Sequence, residues 1–303
     1  MKILLAVDGS EYSFTAADVI ASRPWPPGSA VRILSVVKLP FVPTAETRAL
    51  PESDYSKMER AAMAEAGAAV DAARARISAG NSSRESPLDI TSDILLGHPQ
   101  ETILAEADQW GADLILLGSR GLGGFKRFML GSVSTAVATH AHCSVEVARA
   151  DQAHPIRKSH LKILLAVDGS AGSDAAVRAV QARPWPEGST VKILGAAKPP
   201  IPLTPESLTL PQTYFEEWEK ALEDQARQAV EKAAAQFSGT TPTVLREIVN
   251  GNARDVILRE AESWGADLVV LGSRGLGGFE RLLLGSVSHA TITHAHCSVL
   301  IVR

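Results

Sequence analysis

Glycine, serine and arginine at fixed spacing give this chain its most chemically suggestive stretch. GSRGLGGFKRFMLGSVS runs from Gly118 to Ser134, and GSRGLGGFERLLLGSVS runs from Gly272 to Ser288. The copies differ only at Lys126/Glu280, Phe128/Leu282 and Met129/Leu283. Each follows a short apolar run, LILL or LVVL, and leads into a segment able to start a helix. A strand, a glycine-rich loop and a helix N-terminus in succession make an anion site, because N–H groups point inward and the helix dipole favours negative charge. The expectation is one nucleotide phosphate site in each half of the protein. Gly118, Gly121, Gly272 and Gly275 would let the backbone turn and approach the phosphates. Gly131 and Gly285 would do the same where the helix begins. Ser132 and Ser286 are expected to cap their helices and to offer a hydroxyl to phosphate. The amides of Val133, Ser134, Val287 and Ser288 would complete the site. Arg120 and Arg274 would supply positive charge.

Other nucleotide motifs fit poorly. The dinucleotide fingerprint belongs after the first strand, where only DGS stands, and Gly121-Leu122-Gly123 lacks the third glycine. Gly123-Gly124-Phe125 does not supply the Gly-Lys-Ser/Thr end of a P-loop. A second cluster, His140, His142 and Cys143, returns as His294, His296 and Cys297. Imidazole and thiolate are zinc ligands, but two histidines two apart on a helix point in different directions. His140 continues the apolar face of Val133, Ala136 and Val137 and reads as a core histidine. His142 falls at the helix end, and Cys143 reads as buried. No metal site is expected there.

The elements that position these residues also occur twice. KILLAVDGS at Lys2–Ser10 returns at Lys162–Ser170, and RPWPPGSAVRIL at Arg23–Leu34 returns as RPWPEGSTVKIL at Arg183–Leu194. The offset is 160 residues early and 154 later, so the second copy has lost six residues somewhere between Pro40 and Gly97, placed here in the loop after the second strand. A period near 150 residues means a duplicated domain. The expected division is a domain over 1–150, a polar linker over 151–160 and a domain over 161–303. Within one copy the spacing predicts strands at Ile3–Val7, Val31–Val37, Leu88–Leu96, Leu114–Leu117 and Ser144–Ala148. Helices fall between them: Ser10 caps one to about Ala21, another spans Asp54–Ser78, a third ends at Trp110 before Gly111, and Ser132 caps the last. The proline-rich loop Pro40–Pro51 follows the second strand. Strands alternating with helices predict an α/β fold with a parallel sheet and helices on both faces, its ligands beyond the carboxyl ends of the strands. If strands one and four are neighbours, Asp8 lies beside Gly118.

The residues now named resemble the universal stress protein family in its tandem, two-domain form. That family's nucleotide motif is glycine, two residues, glycine, nine residues, glycine, then serine or threonine. Gly118, Gly121, Gly131 and Ser132 match it, and so do Gly272, Gly275, Gly285 and Ser286. Asp8 and Asp168 match its strand-one aspartate. The resemblance covers nearly the whole chain, twice. It implies two tandem Rossmann-like domains, each a five-stranded parallel sheet in the order 3-2-1-4-5. It implies ATP or a related adenine nucleotide as ligand, with Mg as its companion. Asp8 and Asp168 would face the adenosine or that metal, and the backbone near Val36 and Ala196 would contact the base. The strand ends Ala6, Val7 and Leu117, with Ala166, Val167 and Leu271, would line the same sites. Family members commonly dimerise, so a tandem chain resembles two subunits joined, and a homodimer of the whole chain is expected beyond that pairing.

Composition sets further bounds. The chain has 303 residues, 45% apolar and 21% charged, with a net charge of -4. That charge argues for neither nucleic acid nor an anionic membrane as partner. No apolar run is long enough to span a bilayer. MKILLAVD meets Asp8 too soon for a signal peptide and reads as a strand. Two cysteines at equivalent positions suggest matching sites rather than a bridge, and a reducing cytoplasm as the setting. The function expected is a nucleotide-binding stress-response regulator with little or no turnover. A slow ATPase or transferase is the alternative, though the sequence presents no base with a charge clamp. An interaction scaffold with relic sites is the other, disfavoured because both copies keep every motif position. The copies differ at Lys126 and Glu280, which reverses a charge beside the proposed phosphate site. The first site is therefore expected to bind triphosphate more tightly at low salt, with the gap closing at high salt; titrating single-site variants checks this. Glu146 stands where the second copy has Leu300. If the fifth strand is an edge, Glu146 would discourage pairing, while the second copy's apolar edge stays available for a homodimer.

Overall fold

The computed structural model describes residues 1–38, 52–81, 84, 86–121, 130–149, 159–197, 212–237, 242–276 and 284–303. The chain divides into two compact units, Met1–Arg157 and Lys158–Arg303. The loop over 40–51, most of the polar stretch over 150–160, and Lys126 and Glu280 fall outside the described residues.

In unit 1, β1 (Lys2–Val7) and β4 (Leu114–Gly118) are almost unbroken apolar runs, and after Lys2 every residue in them is buried. Such runs suit the middle of a parallel sheet covered on both faces. β1 indeed pairs in parallel with both β2 (Ala30–Val37) and β4, with Leu4 opposite Arg32 and Ile115. β3 (Asp89–Leu96) lies outside β2, and β5 (Ser144–Ala148) lies beside β4. The order is 3-2-1-4-5, so the chain changes direction across the sheet between β1 and β4. The mixed sequence of β3 fits its outer place, where its residues are only partly covered. Right-handed crossovers then put α1 (Glu11–Ser22) and α2 (Glu52–Asn81) on one face, and α3 (Pro99–Trp110) and α4 (Ser132–His140) on the other. α1 packs on α2 and α3 on α4.

Unit 2 repeats this plan with β6 (Lys162–Val167), α5 (Ala171–Gln181), β7 (Thr190–Ala197), α6 (Gln212–Ala235), β8 (Thr243–Asn250), α7 (Ala253–Trp264), β9 (Leu268–Gly272), α8 (Ser286–His294) and β10 (Ser298–Val302). Its parallel pairings give the order 8-7-6-9-10.

The local signals act as their chemistry dictates. Ser10 and Ser170 cap α1 and α5, each accepting from the amide three residues on at 3.2 Å. Gly111 and Gly265 end α3 and α7 at φ 69° and 68°, a region that favours glycine. In the RPWP turns, Trp25 and Trp185 donate their indole N–H to the carbonyls of Ile20 and Val180 near the preceding helix ends, at 3.0 and 2.8 Å.

Two expectations are corrected here. The six missing residues are not in the loop after the second strand. Buried Ala66, Ala69, Val70 and Ala73 of α2 correspond to buried Ala226, Ala229, Val230 and Ala233 of α6, still at the early offset. Phe237 likewise takes the place of Ile77. The loss therefore follows the packed part of the helix: α2 has 30 residues and α6 has 24. Trimming beyond the last packed turn leaves the core contacts unchanged. Glu146, in turn, is no edge guard. It is fully buried, and its Oε1 accepts from Arg23 Nη1 at 2.5 Å. Arg23 itself is 4% exposed.

Candidate functional site

At the carboxyl ends of β1 and β4 the sheet opens into a cavity of about 480 Å³. An equivalent cavity of about 520 Å³ lies at the ends of β6 and β9. Divergence of the chain on either side of the β1/β4 boundary leaves this crevice. The structure brings the expected residues of unit 1 together around it: Ala6, Val7 and Asp8 from the end of β1, Val36 from β2, Leu117, Gly118, Arg120 and Gly121 from β4 and its loop, and Gly131 to Ser134 from the start of α4. Their counterparts Ala166, Val167, Asp168, Ala196, Leu271, Gly272, Arg274, Gly275 and Gly285 to Ser288 line the second cavity.

The start of α4 is the centre of the site. Gly131, not Ser132, is the N-cap, and among the described residues no side chain caps this helix. The Gly131 amide donates to the Ser119 carbonyl at 2.9 Å, and the first helical bond runs from Thr135 N to Gly131 O. The amides of Ser132, Val133 and Ser134 thus form an uncapped first turn, and all three residues line the cavity. α8 is built in the same way, with Gly285 N on Ser273 O at 2.8 Å. The expected capping role of Ser132 and Ser286 is corrected: each is the first residue inside its helix, with an exposed side chain. Ser134 and Ser288 instead turn their hydroxyls inward and donate to the Gly118 and Gly272 carbonyls, both at 2.8 Å. Those bonds pin the helix start to the strand end.

Asp8 and Asp168 brace the other wall. Asp8 Oδ1 accepts from the Ser10 amide at 3.0 Å and from the Ser10 hydroxyl at 2.6 Å. Asp168 Oδ1 accepts from the Ser170 amide at 2.9 Å, and its Oδ2 accepts from the Leu276 amide at 3.0 Å. The Asp168 carboxylate therefore ties the turn after β6 to the glycine loop. A Cβ on Gly121 or Gly275 would stand 2.3 or 2.4 Å from the aspartate carboxylate of its own unit, so the second motif glycine makes room for it.

Sequence reasoning missed the apolar wall. Leu34, Pro99 and Ile103 complete the first cavity, and Leu194, Ala253 and Ile257 the second. Ser13 and Ser173, and Leu130 and Leu276 beside the loops, also line them. The usable signal was identity between the copies: Ser13/Ser173, Leu34/Leu194 and Ile103/Ile257 are each the same residue twice.

The histidine cluster lies elsewhere. His140 is exposed, with Nδ1 2.9 Å from the Ala136 carbonyl, which corrects its assignment to the core. His142 is exposed beside Asp108, 3.2 Å from Oδ2. Cys143 is half-buried rather than buried, whereas Cys297 is buried. Among the described residues no group of three or more His, Cys, Asp or Glu is placed to hold a metal ion, and no helix is long and apolar enough to cross a membrane.

Comparison with known proteins gives a consistent result. The model of the Universal stress protein family matches residues 1–149 and again 160–303. A universal stress protein of Mycobacterium tuberculosis is 28% identical over 313 residues, covering 100% of this chain and 95% of that one. One from Bacillus subtilis is 30% identical over 146 residues, covering 47% of this chain and 98% of its own length. The crystal structure of a universal stress protein from Archaeoglobus fulgidus shares the fold, with a TM-score of 0.63 at 19% identity, covering 100% of this chain and 98% of that one. The chain belongs to the universal stress protein family and carries the family's α/β domain twice.

Proposed function

We propose that each unit binds an adenine nucleotide, and that the protein is a nucleotide-dependent stress-response switch with little or no turnover. One observation carries the reading: in both units an uncapped helix N-terminus opens into an apolar-walled cavity at the β1/β4 or β6/β9 boundary. An uncapped first turn suits phosphate, since its amides and dipole both favour an anion. Walls of Leu34, Val36, Ile103 and Leu117 suit the face of a base, and the cavity volume is in the range of small-molecule sites. The family resemblance points to ATP among adenine nucleotides. Magnesium would travel with the triphosphate; the lining's carboxylates, Asp8 and Asp168, are those able to meet it.

Binding is favoured over catalysis by how the aspartates are used. Asp8 and Asp168 already accept hydrogen bonds from the turns they brace, which fixes them as scaffold more than as a proton acceptor. We further propose a cytoplasmic setting and self-association of the whole chain, on the strength of the resemblance. The direct test is mass spectrometry of the small molecule released on denaturing the purified protein. An adenine nucleotide at up to two per chain is the expected result. An empty protein that takes up no ATP on titration would overturn the reading, and rapid multiple turnover of added ATP would overturn the switch.

A further inference from the structure

The two cavities share a backbone contact and differ in one side chain beside it. In unit 1, a Cβ on Gly118 would lie 2.3 Å from the Tyr12 carbonyl oxygen, so α1 and β4 touch main chain to main chain. In unit 2 the same contact joins Gly272 to Gly172, where a Cβ would lie 2.4 Å from the Gly172 carbonyl carbon. Tyr12 and Gly172 thus hold equivalent places, but only Tyr12 has a side chain to reach the loop. Its hydroxyl accepts from Arg120 Nη1 at 3.0 Å. The Arg120 guanidinium carbon also stands 4.7 Å from the ring centroid, over its face. Arg120 is half-buried in this arrangement, while Arg274 is exposed at the mouth of its cavity. Unit 2 has no room for a tyrosine: a Cβ on Gly172 would come within 2.4 Å of the Arg274 carbonyl oxygen.

We infer that Tyr12 makes the two sites unequal readers of the phosphate chain: Arg274 recognises the outer phosphates in unit 2, whereas Tyr12 restrains Arg120 from doing so in unit 1. The inference rests on the nucleotide reading above. For Arg120 to reach an outer phosphate it must give up a hydrogen bond and a cation–π contact, together a penalty of about tenfold in affinity. Arg274 is exposed and, among the described residues, has no such side-chain contact to give up, so its cost is chiefly side-chain freedom. A guanidinium on phosphate forms charge-assisted bonds, and a longer phosphate chain offers more oxygens to it. Unit 2 therefore prefers ATP to AMP through its arginine, and unit 1 discriminates less by this route. The resulting order is opposite to that expected from Lys126 and Glu280, and removing each arginine separates the two effects.

The test uses the full chain with one site closed. Gly131→Val leaves unit 2 open and Gly285→Val leaves unit 1 open; each is titrated with ATP and with AMP by calorimetry. With unit 2 open, Arg274→Ala is expected to weaken ATP about tenfold and AMP less than about twofold. With unit 1 open, Arg120→Ala is expected to change ATP affinity by less than about threefold. Tyr12→Ala should then strengthen ATP binding, and in that background Arg120→Ala should become as costly as Arg274→Ala. Tyr12→Phe keeps the ring and removes the hydroxyl, and should fall between. If Arg120→Ala cost as much as Arg274→Ala with Tyr12 in place, or if Tyr12→Ala weakened ATP, this inference would be overturned while nucleotide binding stood. If the parent chain bound no nucleotide in either unit, the nucleotide reading would fail and the inference with it.

Discussion

Valine at Gly131 is expected to empty the first site of nucleotide and leave the second filled, and valine at Gly285 to do the reverse. The fold itself does not demand glycine at Gly131. Its φ of -66° and ψ of 153° suit any residue, and an added Cβ would meet Arg120 Cα at 3.4 Å and Ser119 O at 3.5 Å, ordinary contacts. At Gly285 the nearest contact is Ser273 O at 3.2 Å, which asks for a slight adjustment. Valine is a poor N-cap, so each change also costs about 1 kcal/mol of helix stability. The larger effect falls on the ligand. The added Cβ faces the Ser119–Gly121 limb, and the branched methyls would occupy space that a phosphate needs beside the uncapped amides. Losing one or two charge-assisted hydrogen bonds there, at about 1.5–3 kcal/mol each, weakens binding by about tenfold at the least and well over 100-fold when both are lost at full strength. Each single variant should retain about half the parent's nucleotide after purification and the double variant almost none, in keeping with one site per unit. Full occupancy in both single variants would refute the assignment. Gly118 would make a poor probe, since a Cβ there collides with the Tyr12 carbonyl and unfolds the question along with the protein.

The second large effect is on stability. Glu146→Leu copies what unit 2 has at Leu300, yet it is expected to destabilise unit 1 by about 3–5 kcal/mol, because it leaves the buried Arg23 charge without its partner. Equilibrium urea unfolding of the full chain would show an early transition. In thermal unfolding the Tm of unit 1 should fall on the order of 10 °C. Adding Arg23→Met should restore most of the loss, since removing both charges spares the cost of an uncompensated one. If Glu146→Leu alone were neutral, the pair would hold no buried charge worth the name. The pair joins the residue that ends α1 to the middle of β5, so its loss is also expected to loosen the helix whose first turn faces the cavity.

Much of this protein is local, and local features are legible in sequence. Continuous apolar runs made β1 and β4 central strands. Ser10 and Gly111 marked helix ends, and Ser170 and Gly265 mark the ends of the matching helices of the second copy, because capping and left-handed turns need only neighbouring atoms. Duplication makes each signal count twice, so the motif residues of both cavities are legible in the sequence. The family's fold followed from those same residues.

Tertiary structure alone decided the rest, and each case joins positions far apart in the chain. Arg23 meets Glu146 across 123 residues, and Arg120 meets Tyr12 across 108. Ile103 becomes a cavity wall because strand order carries α3 past the ends of β1 and β4. Ser134 rather than Ser132 turns inward because its hydroxyl can reach the Gly118 carbonyl. Hydrophobic period and turn chemistry set each element's type and face, but not which side chain of one element meets which atom of another. Strand order and register fix that, and here they set Tyr12 against Arg120 in one unit and Gly172 against Arg274 in the other.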